Sequence, residues 1–572
     1  MTDSEQPSTD NVVGSRPSPF LEAFQFEKEE LTSFEQVRDE FEWDVPEVFN
    51  AATYLCDRWG DDHDTERTAM TSVGSANAVD QLTYSELKSR SGRLANVLRS
   101  SGVSKGDRVA LSADQIPSTL VSFISIWKVG AVAVPLSPKY GTSAIEYRLS
   151  DCDVDVCIST SSNIEEVREI AEGDDGPISS ADIIVVDIEP RHGEKGYSEA
   201  LEEASTAFGT RRTKAADPAF IIYTSGTTGP PKGVVHAHRS LLGMLPTYAL
   251  SMCNGETKFN HVAWVPAAWS WIASLSYVFP ALFYGHSLMG DANDRFDPVR
   301  SFRNFIEYNV SVAFIPHPVV QQWQEELDPT SRCDSLRVAM FGGMDKESTD
   351  WLRQTFPNAV VHKGYGQSEA CLPIGHCKSL FSSPEKSIGR AMPGHTIRTL
   401  DSETGEPVKP GEIGELAIRY DGDPACLDGY WERPEKFSEK VRDGWLWTGD
   451  LGRIDEDANI YFTSRKDDVI KSSGYRIGPG EIESELRAHP VIEDVGVIGI
   501  PDDARGEVPV AYVTVADGFE LSEDTIEELQ THVKEQYAAY AYPRRITAVE
   551  ELPRTSNGKV RRVELKDRSD AQ

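Results

Sequence analysis

Residues 223–233 read Y-T-S-G-T-T-G-P-P-K-G and continue an apolar run, Phe220-Ile221-Ile222. Gly226 and Gly229 allow positive φ and close approach to an anion, and successive N–H groups in such a turn form a concave nest. The hydroxyls of Thr224, Ser225, Thr227 and Thr228 add hydrogen-bond donors, and Lys232 adds a positive charge. This chemistry suits a polyphosphate. It is not a Walker A loop, which needs Gly-Lys-Ser/Thr after four spacers, whereas Lys232 follows Pro230-Pro231. Further along, Gly364-Tyr365-Gly366-Gln367-Ser368-Glu369 offers an aromatic face, a hydroxyl and a carboxylate within one turn, and a carboxylate is the hard oxygen ligand that Mg²⁺ prefers. Trp447-Thr448-Gly449-Asp450-Leu451 is turn chemistry with one acid, followed by the charged run Ser464-Arg465-Lys466-Asp467-Asp468. Ser473-Gly474-Tyr475-Arg476 opens a glycine-rich stretch, and Leu552 to Lys559 ends in Asn-Gly-Lys.

In this order these segments resemble the motifs of the adenylate-forming superfamily, which contains acyl-CoA synthetases, luciferases and peptide-synthetase adenylation domains. The resemblance implies ATP, Mg²⁺ and CoA as reaction partners for a small carboxylic acid. It gives the nucleotide to Thr224, Ser225, Gly226, Thr227, Thr228, Gly229 and Lys232, to Gly364, Tyr365, Gly366, Gln367, Ser368 and Glu369, and to Asp450, Arg465 and Lys559. Tyr365 is expected to stack on adenine, Asp450 and Arg465 to meet the ribose, and Glu369 with Thr224 to hold the metal. Ser368 stands where the family usually has threonine and keeps the hydroxyl, while Ser464 replaces a usual glycine beside Arg465. Lys559, Glu369 and Thr224 are the expected catalytic residues. A cation preorganised at the charge that builds in a transition state is worth about 3–4 kcal/mol. Asp467 matches the hinge about which a small domain rotates between half-reactions. Ser473, Gly474, Tyr475 and Arg476 resemble the thioester-forming loop, and Arg505, Lys534, Tyr542 and Arg544 resemble CoA contacts of medium-chain acyl-CoA synthetases.

An ATP-dependent, AMP-forming acyl-CoA ligase of medium-chain type is therefore expected. Gly366 replaces a bulky tryptophan of acetyl-CoA synthetases and is expected to leave room for a longer chain. Trp269, Trp271, Gly342 and Gly343 are the other expected pocket walls, whereas Trp264 reads as core. Each methylene changes binding by only about 1–3 kcal/mol, so chain length is not fixed by these residues. An aryl- or branched-acid-CoA ligase is the nearest rival, and a nucleotide or acyl-CoA sensor without catalysis is the rival outside enzymes. A peptide-synthetase module is disfavoured because no carrier domain follows Gln572. His236 and His238 lack an evident third metal ligand and read as structural.

Elements that would position these residues follow an α/β rhythm. Leu87, Leu94 and Leu98 recur at helical spacing between Tyr84 and Ser100, and short apolar runs at 109–111, 131–136, 154–158, 183–186 and 220–223 read as strands. Strands alternating with helices predict doubly wound, mostly parallel sheets, with ligands beyond the strands' carboxyl ends. The runs at 312–315, 336–341 and 359–361 also feed into turns. After Asp401 the pattern changes to a barrel-like antiparallel subdomain, and a small mobile α+β unit follows Lys466. The expected division is a disordered tail over 1–19, a large nucleotide-binding domain over 20–466 and a small domain over 467–572.

The 572 residues carry 92 acidic and 57 basic side chains, a net charge of −35. This balance excludes nucleic acid and anionic membranes as expected partners, and it points to a proteome adapted to high salt. The run from Trp271 to Tyr284 is too short to span a bilayer. Eight cysteines without paired Cys-x-x-Cys spacing read as reduced, mostly buried thiols. A cytoplasmic protein is expected, and a homodimer is compatible with this composition.

Overall fold

Continuous apolar strands need cover on both faces, and two sheets supply this chain's framework. The computed structural model describes residues 23–570 except 32, 62–63, 65, 75–76, 174–175, 225–229, 294, 342–345, 473–474, 503–504, 537–540 and 555–559. The expected tail over 1–19 lies outside the described residues. One sheet has eight strands in the order Gly429–Tyr430, Lys232–Ala237, Pro218–Thr224, Val132–Leu136, Arg108–Ser112, Val156–Ser159, Ile183–Val185 and Lys195–Gly196. It is parallel from Pro218–Thr224 outward to Lys195–Gly196 and antiparallel at the other edge. The other sheet orders Val360–Lys363, Val338–Phe341, Val312–Phe314, Val262–Trp264, Ser287–Asp291, Thr68–Val73 and Val79–Thr83.

Helices between the sheets are apolar on every side, which is what burial between two sheets requires. Pro117–Val129 begins with proline at its first turn and stops at Gly130 in the left-handed region (φ 84°). Ile272–Phe283, the run too short for a membrane, is buried along nearly its whole length. Their side chains share one core with Val109, Ala133 and Phe220 of the eight-stranded sheet and Met70, Ala263 and Leu288 of the seven-stranded one. Trp127 packs edge-on against Phe279 at 5.0 Å within this layer. Trp264 lies on the outer face of the second sheet, stacked on Trp323 at 5.8 Å, so its expected core role holds.

Beyond these layers, Ile397–Leu400, Gly414–Arg419, Trp445–Ile454, Val441–Arg442 and Ile460–Arg465 form the antiparallel subdomain. The small C-terminal domain wraps the helices Pro479–Arg487 and Glu523–Gln536 on a sheet led by the long pair Ile492–Asp502 and Gly506–Val515. Arg562 binds it together, donating to Asp468 at 2.9 Å and to both oxygens of Glu483 at 2.7 and 2.8 Å. All eight cysteines are free and buried. Among the described residues no helix is long and apolar enough to cross a membrane.

Six buried histidines carry a consequence for stability. Desolvation lowers His236, His261 and His362 from 6.5 to about 4. The same cause brings His238, His286 and His376 to about 3. As pH falls through 6.5 the unfolded chain takes up protons that the folded chain refuses, so the unfolded state binds more protons and stability declines. The thermal midpoint should be level above pH 7 and fall between pH 6.5 and 5, before most carboxylates titrate. A midpoint independent of pH across that window would contradict neutral, buried imidazoles.

Candidate active site

The strand Pro218–Thr224 turns back as Lys232–Ala237, with Thr224 paired to Lys232 in register. Both residues line a cleft of about 4300 Å³ between the large domain and the C-terminal domain. Ser225, Gly226, Thr227, Thr228 and Gly229 lie outside the described residues, as do Gly342, Gly343, Ser473, Gly474 and Lys559. Gly364, Tyr365, Gly366, Gln367, Ser368, Glu369, Asp450 and Arg465 line the same cleft. Residues from three sheets thus converge where the sequence pattern expects one site.

Asp450 owes its place to an irregularity within the strand Trp445–Ile454, where the pairing with Gly414–Arg419 shifts register. Gly449 adopts φ 76°, the Thr448 hydroxyl accepts from the Asp450 N–H at 3.1 Å and donates to the Leu416 carbonyl at 2.6 Å. Buried Glu415 accepts from the Gly449 N–H at 3.1 Å and from Lys466 at 2.8 Å. Asp450 is only 4% exposed. Its oxygens accept from the Tyr365 hydroxyl at 2.5 Å and from Arg465 at 3.0 Å. Desolvation raises its carboxyl above the ordinary range despite the nearby Arg465 charge. Such a paired carboxylate can take two hydroxyl donors from a ligand diol in exchange for its present partners. Ser464, in the usual glycine position, pairs with Leu451 beside a register shift of the strand pair, yet it does not adopt positive φ and so needs no glycine freedom.

Glu369 reaches the cleft from the turn after Tyr365–Gln367. His236 fixes this turn: its Nε2 donates to the Ser368 carbonyl at 2.8 Å, and its ring stacks on Phe220 at 4.8 Å. Tyr430 donates to Glu369 Oε1 at 2.8 Å, and Lys232 lies 5.9 Å from the Tyr430 ring. Lys440 donates to the Thr448 carbonyl at 2.9 Å, and burial lowers its ammonium although Glu369, Asp450 and Glu415 favour the charge. Neither Tyr430 nor Lys440 is distinguished in the sequence, because Tyr430 joins the site through sheet pairing and Lys440 from the end of the helix Pro434–Lys440. Glu369 and the Thr224 hydroxyl provide one carboxylate and one neutral oxygen, a set that fits Mg²⁺ completed by water and phosphate. Among the described residues no group of three His, Cys, Asp or Glu side chains could hold a metal ion.

Two expectations about the acyl pocket change. Gly366 does not face open space on its side-chain side: a Cβ there would lie 2.0 Å from the Cys371 carbonyl oxygen and 2.5 Å from Leu372 Cδ2. Glycine serves the close pairing of Tyr365–Gln367 with Cys371–Gly375, so its smallness is not pocket volume. Trp271 lines the cleft, whereas Trp269 is 1% exposed and packed in the main core. Ala267, Ala268, Ile272, Phe314 and Leu372 line the cleft with Trp271.

The expected CoA residues of the small domain form a second cluster. The Tyr542 ring lies 4.0 Å from the Lys534 ammonium and 3.7 Å from the Arg544 guanidinium. Burial lowers Arg544, and the charge of Arg505 adds to that effect, which brings Arg505 into the group. Tyr475 and Arg476 enter the strand Tyr475–Ile477, and Asp467 the short helix Lys466–Asp468.

With this geometry in place, sequence similarity is decisive. Residues 56–431 match the model of the AMP-binding enzyme family, and residues 481–559 match its C-terminal domain. The chain belongs to the AMP-binding enzyme family. Similar AMP-binding enzymes include the uncharacterized acyl-CoA ligase YtcI of Bacillus subtilis, 31% identical over 88% of this chain and 94% of that protein. The mitochondrial acyl-coenzyme A synthetase ACSM3 of Rattus norvegicus is 30% identical over 94% of this chain and 93% of its own length. Among solved structures, ATP-bound MatB from Rhodopseudomonas palustris matches with a TM-score of 0.78 at 26% identity, over 91% of this chain and 99% of that one.

Because a backbone oxygen occupies the place of a side chain at Gly366, Gly366→Ala should destabilise the fold by about 1–3 kcal/mol through forced displacement of the Cys371 strand. Chemical denaturation of the variant measures this. Wild-type stability would show that the strand yields freely.

Proposed function

We propose that a medium-chain fatty acid is the acid activated by this enzyme, an ATP-dependent, AMP-forming acyl-CoA ligase. The supporting observation is the cleft that collects Thr224, Lys232, Tyr365, Glu369, Asp450 and Arg465 together with the apolar Trp271, Ile272, Phe314 and Leu372. Ala267, Ala268, Trp271, Phe314 and Leu372 also line this cleft, and we assign them to the alkyl chain.

A carboxylate is a poor acyl donor, because its leaving group would be an oxide. Attack on the α-phosphate of ATP gives an acyl-AMP and releases pyrophosphate; a CoA thiol then displaces AMP. In our reading Tyr365 supports the adenine, Asp450 and Arg465 hold the ribose, and the loop from Thr224 to Lys232 takes the β- and γ-phosphates. Lys559 bridges the acyl carboxylate and α-phosphate; it follows Arg554 and precedes Val560, two cleft-lining residues that pair as a β-bridge. Mg²⁺, when held by Glu369 and Thr224, offsets phosphate charge. The Lys534, Tyr542, Arg544 and Arg505 cluster offers cations to the CoA nucleotide, and rotation about Asp467 brings residues 467–572 into the thioester-forming arrangement. We further place the enzyme in the cytoplasm of a salt-adapted cell, and a homodimer remains compatible with the fold.

A panel of carboxylates from acetate to laurate, with aryl and branched acids, assayed for AMP formation at low and high KCl, tests the substrate class. Saturated acids of middle length should give the highest kcat/KM. A preference for benzoate or for acetate would replace the medium-chain reading.

A further inference from the structure

The two cleft-lining ends of the phosphate loop, Thr224 and Lys232, adjoin a half-buried polar network that no motif announces. Asp151, the last residue of the helix Thr142–Asp151, lies beneath them with its side chain 12% exposed. Its Oδ2 accepts the Tyr223 hydroxyl at 2.6 Å and Arg433 Nη1 at 3.2 Å, and its Oδ1 accepts Arg433 Nη2. Tyr223 immediately precedes Thr224. On the other flank, Tyr147 accepts from Arg433 Nη2 at 3.2 Å and donates to the Pro231 carbonyl at 2.9 Å, immediately before Lys232. Arg433 Nη1 also donates to the Trp431 carbonyl at 3.0 Å, and the Trp431 N–H donates to Gly233 at 2.8 Å. The Cys152 thiol and the Tyr223 hydroxyl are 3.0 Å apart. The chain of contacts therefore runs from residue 223 through Asp151, Arg433 and Tyr147 to residue 231.

We propose that Asp151 is a positioning residue for ATP, fixing Thr224 and Lys232 relative to each other through Tyr223, Arg433 and Tyr147. Every donor around the carboxylate points inward, so a neutral amide at 151 would face a hydroxyl and a guanidinium with its own N–H group. Desolvation pushes the Asp151 carboxyl up, yet hydrogen bonds from Arg433 and Tyr223 outweigh it and hold the group below its ordinary value. It is therefore ionised whenever the enzyme works, and its effect carries no pH dependence near neutrality. The proposal rests on the reading that this loop receives the β- and γ-phosphates.

The test separates the half-reactions, because acyl-AMP has no β- or γ-phosphate. In Asp151→Asn the KM for ATP in acid-dependent pyrophosphate release should rise about tenfold or more, the factor that corresponds to the loss of one charged hydrogen bond. Conversion of supplied acyl-AMP and CoA to thioester should keep its wild-type rate. Tyr147→Phe, which removes the clasp on Pro231 together with the hydroxyl's contacts to Arg433 and to Asp151 Oδ1 at 3.3 Å but leaves the Asp151 carboxylate in place, should raise the ATP KM in the same direction by less, and it decides the matter if Asp151→Asn shows no cooperative melting. Equal losses in both half-reactions, or an unchanged ATP KM in the folded variants, would overturn the proposal. Calorimetric binding of ATP and AMP to the wild type checks the underlying reading: equal affinities would remove the loop's grip on the terminal phosphates, whereas tighter ATP binding retained in Asp151→Asn would overturn the role of Asp151 alone.

Discussion

The site depends on one short pairing, that of Gly429–Tyr430 with Val234 and Val235 at the edge of the eight-stranded sheet. Two residues of strand would be marginal alone, but here side chains reinforce them. Asp428 accepts the Ala237 N–H at 3.0 Å and pairs with Arg239. From this edge Tyr430 reaches Glu369, Trp431 caps Gly233, and Arg433 reaches Asp151. One strand edge thus ties the phosphate loop, the metal-competent acid and the antiparallel subdomain to a common frame. His236, on the strand that bears this edge, extends the frame to the Ser368 carbonyl.

Electrostatics gives the frame its chemical character. A chain with net charge −35 repels polyanions at long range, so cations must be held where a nucleotide binds. We place Lys232, Lys440 and Arg465 in that role: Lys440 is desolvated, and the half-exposed Arg465 pairs with buried Asp450. Asp450 and Glu369 remain acceptors in the same cleft, available to hydroxyls and to a metal that accompanies phosphate. The second cationic group, around Tyr542, stands apart from the cleft lining and suits a different phosphate-bearing partner.

Much of this was legible in the residues. The helix over Tyr84–Ser100 carries its own capping box in Thr83 and Glu86, and the strands at 109–111 and 220–223 are short apolar runs bounded by turns. The turns after Pro218–Thr224 and Val360–Lys363 follow parallel strands, as ligand-binding turns of such sheets do, whereas Asp450 and Arg465 are brought to the same cleft by the antiparallel subdomain. What could not be read is long-range: Tyr430 meets Glu369 and Arg433 meets Asp151 only after sheets pair, and neither residue type signals a role by itself. Gly366 was misleading for a related reason. An absent side chain reads as free volume in a sequence, while here a neighbouring strand's carbonyl fills it.

Carboxylate-dependent exchange of labelled pyrophosphate into ATP, measured without CoA in the wild type and in Lys559→Ala, addresses the central claim most directly. An acyl-adenylate formed in this cleft before the thiol arrives predicts exchange in the wild type without CoA. It predicts none in Lys559→Ala, which should still convert supplied acyl-AMP to thioester. Exchange that requires CoA, or equal loss of both half-reactions in the variant, would contradict it.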